Sequence, residues 1–411
     1  MRAAGVIAAV TCALLVATVA AQGAALPTAV PGSSSPAEFQ RGGGAVAAAG
    51  TARASRPVKA VGPFAWSSPS LIWSRDSGVL PAALVAKGPL QRMTRAQFLV
   101  AVVKLEALRA AQQGTPTVLA SAAPGAAWPD AAPGTLGSRA LALGWLTPQA
   151  GRFAPFAPIT SNEAALLMTG VLGLRPSTAD LAARLKTTFP EVRVAFTYAA
   201  AQALVRTVGL RYNVLDPFDQ YELGPTEAVN LAHGSYMLAT AGRGLGSWKL
   251  DEARTLASTW AVPTLGPNQR TILGAAISQL GQPYVWAGES EGKQAEGHGG
   301  FDCSGFAIRV INSSGVPATS IASLNERTTY TQSAIPAPQR IGLAQLQPGD
   351  AIYFGSRGTK STPTENYHAG VYMGNGWFIH SSGGNGGVAI NRLDGWWGTQ
   401  YSWGRRALLT P

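Results

Sequence analysis

The sequence predicts an α+β chain: a C-terminal domain of helices packed against an antiparallel sheet, preceded by a mostly helical repeat region. Three observations predict it. An apolar 3.6-residue period recurs between residues 88 and 255 at a spacing of about 60 residues, the mark of stacked helical units. The run Tyr367–Met373, then Gly374-Asn375-Gly376, then Trp377–Ser381 reads as strand, turn and strand. Between these regions, Asn268–Leu280 has the apolar stripe of one helix, with Gly281 as its stop.

The chain of 411 residues has room for two or three compact domains. Four segments are expected: a signal peptide at 1–25, a spacer at 26–87, a helical repeat region at 88–255 and a C-terminal domain at 256–411. Arg2 supplies a short positive start, Val6–Ala21 is apolar and uncharged, and small residues follow. That pattern is an export signal, too short for a stable span. Localisation is therefore expected outside the cell, at the wall. Residues 28 to about 85 are rich in Ala, Gly, Ser and Pro and read as a flexible spacer.

Within 88–255, three runs are expected to open helices: Met93–Phe98, Ile159–Ala164 and Leu223–Ala228. Trp128-Pro129-Asp130-Ala131 and Phe189-Pro190-Glu191-Val192 lie between them. The pattern weakly resembles S-layer homology repeats, and only the first copy keeps Thr94-Arg95-Ala96. That resemblance implies a hold on cell-wall polymers; the alternative is a plain helical spacer. The net charge of +11 suits an anionic partner. No basic run or aromatic-interleaved basic stripe points to nucleic acid.

Two cysteines are present, Cys12 and Cys303. Cys12 lies inside the export signal, so the mature chain would hold one. A lone thiol in an exported protein is either a reactive group or a small buried apolar one. Position favours the first. Phe301-Asp302-Cys303-Ser304-Gly305 precedes the apolar run Phe306, Val310, Ile311, so Cys303 sits at a helix start, where free N–H groups favour a thiolate.

A nucleophilic thiol needs a base. The chain has His233, His298, His368 and His380. His233 reads as structural or surface, and His298, in the Gly-rich insert Glu289–Gly300, as solvated. If Met373 opposes Trp377 across a three-residue turn, Gly370 opposes His380, and His368 and His380 share a face. A nucleophile, base and orienter then follow from Cys303, His368 and His380. A zinc site of one Cys and several His lacks any short ligand pair, so no metal and no cofactor are expected.

Residues 268–406 resemble the NlpC-type family of papain-like peptidoglycan endopeptidases. The matching pieces, in order, are Pro283–Gly288, Asp302–Gly305, Leu346–Asp350, His368–Gly374 and Phe378–His380. The resemblance implies a papain-like catalytic domain with Cys303, His368 and His380 in catalytic roles. It implies Tyr284 near the oxyanion, Asp302 at the free amino end of the stem peptide, and Ser304 assisting. Its usual substrate is the γ-D-glutamyl bond to the diamino acid, so peptidoglycan stem peptides are the expected partner. Two readings stand beside it: a Cys-His amidase or acyltransferase of related fold, and a non-catalytic wall-binding protein. The inserts Glu289–Gly300 and Gly355–Asn366 are expected to rim the cleft.

Overall fold

The computed structural model describes residues 62–294 and 297–410. The expected export signal and residues 26–61 of the spacer lie outside the described residues.

The helical region is built from three copies of one unit. Each has a first helix, a glycine turned left-handed, a connecting run, a buried apolar residue, a capping residue and a second helix. The first helices are Ser68–Asp76, Leu136–Ala142 and Phe196–Thr207. The glycines are Gly78, Gly144 and Gly209, at φ of 73°, 64° and 77°. The second helices are Arg95–Gln113, Ser161–Val171 and Leu231–Gly242. Thr94 and Thr160 cap theirs through reciprocal bonds with Gln97 and Glu163, and the Asn230 side chain accepts the His233 N–H.

The buried residues before the caps, Met93, Ile159 and Val229, are all fully inaccessible. Their backbones close a ring. Met93 N–H donates to Val229 O at 2.9 Å, Val229 N–H to Ile159 O at 2.8 Å, and Ile159 N–H to Met93 O at 3.0 Å. Every copy thus satisfies its neighbour's buried backbone groups.

Two expectations change here. The third copy's helix opens at Leu231, not near Leu223. Its cap is Asn230, and Glu227 instead accepts the Gly224 N–H at 2.7 Å. The Gly-Pro-Thr-Glu string imitates a helix start, but Pro225 and Thr226 belong to a turn before the helix. The spacer also ends earlier than residue 87. Residues 68–76 form the first helix of the first copy, and they pack on the helix Leu231–Gly242. Gly242 lies flush on the Trp73 ring: a Cβ there would be 2.1 Å from it. The partner that stabilises this short helix lies far along the chain, so no local periodicity announces it.

The second helix of the first copy carries the one Thr-Arg-Ala string. Its Arg95 is fully buried. It donates to Phe153 O and Thr147 O, each at 2.7 Å, and pairs with Glu163.

The C-terminal domain has a five-stranded antiparallel sheet. Its order is Gly387–Arg392, Trp377–Ser382, Asn366–Gly374, Ala351–Gly355 and Tyr401–Arg405. One face packs on the helix Cys303–Asn312 through Phe306, Ala307, Val310 and Ile311. Phe354, Phe378, Trp397 and Tyr401 gather on the other. The expected combination of helices and antiparallel sheet is therefore what the chain forms.

The hairpin differs in detail from the expected turn. Gly374 pairs with Trp377 across Asn375-Gly376, whose φ values of 52° and 76° make a tight two-residue turn. That alone would shift the register by one. A bulge at Met373 restores it, so Val371 opposes Ile379. The alignment expected for the two histidines survives because the two departures cancel.

Candidate active site

Cys303 is the first residue of its helix, and Asp302 is the cap. The Asp302 carboxylate accepts the Gly305 N–H at 2.6 Å. Glycine is required at 305: a Cβ would stand 2.0 Å from the Gly288 carbonyl oxygen. The strand pairing of Asn366–Gly374 with Trp377–Ser382 stops at Val371–Ile379. Beyond that point the Ala369 N–H is turned to the Cys303 sulfur, and so is the Ser304 N–H. The Thr329 hydroxyl lies 3.6 Å from the same sulfur.

These donors favour the thiolate but work against burial. Burial pushes the Cys303 thiol up to about 11, and the Asp302 charge adds to it, while Thr329 and the two N–H groups act the other way. The helix start favours a thiolate, and desolvation of the sulfur beside a carboxylate opposes it.

His368 and His380 share one face of their hairpin. His368 Nε2 and His380 Nδ1 are 2.6 Å apart. His380 Nε2 lies 3.0 Å from Asn391 Oδ1. With Asn391 Oδ1 as an acceptor, the matching tautomer carries its proton on His380 Nε2. His380 Nδ1 is then bare and accepts His368 Nε2–H. His368 Nδ1 is left as the basic nitrogen. Phe354, Phe378 and Trp397 surround the pair. Burial lowers His380 to about 4 and His368 well below its usual value, so both rings are neutral at pH 7.

Asp302 is already engaged. Arg327 Nη2 donates to its Oδ2 at 2.7 Å and Nη1 to its Oδ1 at 3.1 Å. Ser304 donates to Asp302 Oδ1 at 3.0 Å and accepts from Arg327 at 2.9 Å. Arg327 also pairs with Glu289 of the insert. Tyr284 is buried, and burial and the neighbouring Cys303 push its hydroxyl well above its usual value.

Residues 281–406 match the family model described as the NlpC/P60 family. The C-terminal domain is an NlpC/P60 domain. A probable endopeptidase of Mycobacterium tuberculosis is 31% identical over 117 residues, covering 28% of this chain and 24% of that protein. The murein DD-endopeptidase MepH of Escherichia coli is 30% identical over 146 residues, covering 34% of this chain and 46% of that protein. The first of these relatives is thus matched over about a quarter of its length. The crystal structure of an NlpC/P60 family protein from Bacillus cereus is 29% identical, with 36% of this chain and 42% of that chain covered, at a TM-score of 0.28.

Sequence reasoning missed three residues of this candidate site in the NlpC/P60 domain. Asn391 lies on the strand next to His380, two residues beyond its partner Ala389 and so on the same face. Pairing that strand on paper would have found it. Arg327 and Thr329 sit in and beside an irregular loop, where no pattern marks them. The other two histidines are both held. His298 Nε2 meets Glu227 at 2.7 Å, so it is bonded and not free in solvent. His233 is buried, with Nδ1 on Asn230 at 3.0 Å. Among the described residues no group of three or more His, Cys, Asp or Glu is arranged to hold a metal.

Proposed function

We propose that this chain is an exported cysteine endopeptidase of peptidoglycan, with Cys303 as nucleophile, His368 as base and His380 as its orienter. The observation that carries the reading is the bonded series Asn391, His380, His368. It gives His368 the tautomer that acts as a base through Nδ1, on the residue beside the Ala369 N–H that meets the Cys303 sulfur.

The thiol proton passes to His368 Nδ1 as sulfur attacks an amide carbonyl of the stem peptide. The tetrahedral oxyanion is met by backbone N–H at the helix start and by Tyr284. One such donor is worth about 3–4 kcal/mol in related chemistry. His368 then protonates the leaving amine, and a thioester remains. Water, deprotonated by His368, releases the acid and restores the thiol.

The γ-D-glutamyl bond to the diamino acid is the favoured target, by resemblance. Digestion of purified muropeptides with mass spectrometry tests this. Products cut at that bond, lost in Cys303→Ala, support the reading. A cut at the sugar–alanine link would overturn it in favour of an amidase.

Export rests on Arg2 and the apolar run Val6–Ala21. Sequencing the N-terminus of protein recovered from culture medium checks it. Retention on anionic wall polymers would draw on the net charge of +11, because Arg95 of the Thr-Arg-Ala string is fully buried. Pull-down of the full chain on purified sacculi should weaken steadily as salt is raised.

A further inference from the structure

The three copies of the helical region are not equal. Gly78 to Met93 and Gly144 to Ile159 are both steps of 15 residues, whereas Gly209 to Val229 is a step of 20. The extra length lies in a run that meets the NlpC/P60 domain. Asp219 of this run accepts the Trp286 N–H at 2.9 Å. Gly297 of the insert packs on the Gln220 backbone. Glu227 at the end of the run holds His298. Behind these contacts the buried Arg206 donates to Gly281 O at 2.8 Å and Gln282 O at 3.3 Å.

Trp286 belongs to a turn that supports the site. Gly288 N–H donates to Val285 O at 3.0 Å, and Ala287 between them holds a φ of 58°, a left-handed value that alanine rarely takes. Gly288 O in turn accepts the Asp302 N–H at 3.0 Å and is the atom against which Gly305 is pressed. The turn therefore touches the start of the Cys303 helix on one side and carries Tyr284 on the other. Asp219 is only 3% exposed. A buried carboxylate is costly where packing alone is needed, and this one spends a hydrogen bond on a strained turn.

We propose that Asp219 is a positioning residue of the active site, through which the third copy of the helical region holds the Tyr284–Gly288 turn in register with the Cys303 helix. The helical region is then part of the enzyme and not merely its anchor. This rests on Cys303 being the nucleophile.

The test uses full-length protein and purified muropeptides, with Asp219→Ala, Asp219→Asn and Cys303→Ala made in parallel. Asp219→Ala should lower kcat by about 10- to 100-fold with KM nearly unchanged, the size of effect that slight misplacement produces. Asp219→Asn keeps an acceptor for the Trp286 N–H and should recover most of the rate. Hydrogen exchange supplies a readout free of catalysis: in the Cys303→Ala background, Asp219→Ala should speed exchange across residues 284–288. Wild-type kcat in Asp219→Ala, with Cys303→Ala inactive, would overturn the inference alone. So would a melt of Asp219→Ala that speeds exchange evenly over the whole chain. Activity surviving in Cys303→Ala would instead overturn the underlying assignment of the nucleophile.

Discussion

His368 and His380 meet edge to face, with Nε2 and Nδ1 2.6 Å apart and the ring planes at 82°. The bond fixes both tautomers because Asn391 fixes the far nitrogen of His380. His380→Ala should therefore lower kcat by about 100-fold or more, in the range of positioned acid–base groups. Asn391→Leu, which leaves His380 in place but frees its tautomer, should cost less, about tenfold. Steady-state kinetics on one muropeptide separates the two. Equal losses would mean that Asn391 does more than orient.

The Cys303 thiol should behave as an ordinary, poorly ionised thiol in the resting protein. With its value pushed up to about 11, the thiolate fraction grows about tenfold per pH unit over the neutral and mildly alkaline range. Alkylation by iodoacetamide should follow that slope. A fast plateau extending below pH 7 would instead reveal a standing thiolate–imidazolium pair.

Gly305 has no room for a side chain. Gly305→Ala should lower stability by about 1–3 kcal/mol, the usual range for overpacking, since the obstacle is the Gly288 backbone. Calorimetry measures the stability. The same change should also slow catalysis, because relief moves the start of the Cys303 helix.

Glu222 should make the folded state pH-sensitive. It is fully buried beside Arg211, and burial raises it to about 7 from an unfolded value near 4.5. A raised value means that the folded state binds the proton more tightly. The stabilising contribution is full below about 4.5 and is lost as pH rises through about 7. Glu222→Gln removes this component, so its melting temperature should vary less between pH 5 and 8 than that of the parent. Superimposable curves would show that the carboxyl does not titrate in that window.

The C-terminal fold was legible because its signals are local. The strand alternation, the Asn-Gly turn and the helix after Cys303 each announce themselves within about ten residues. The bulge at Met373 was not legible, yet it left the histidine alignment intact by offsetting the shorter turn. The helix Ser68–Asp76 escaped notice because its partner, Leu231–Gly242, lies on the far side of the sequence. The third copy was misplaced because a turn with Pro and Glu copies the chemistry of a helix cap. Arg327 was missed because it acts through a tertiary partner from an irregular loop, whereas Asn391 needed its strand paired with that of His380.

The ring formed by Met93, Ile159 and Val229 limits what this region can become. Open arrays of repeats grow or shrink by whole units, since each unit leans only on its neighbours. A closed circuit of three backbone bonds has no outermost member. A fourth copy would find every place taken, and removing one would strand a donor and an acceptor in the core. The copy number is therefore set by geometry, and variation is confined to the connecting runs. The longest of these reaches the C-terminal domain.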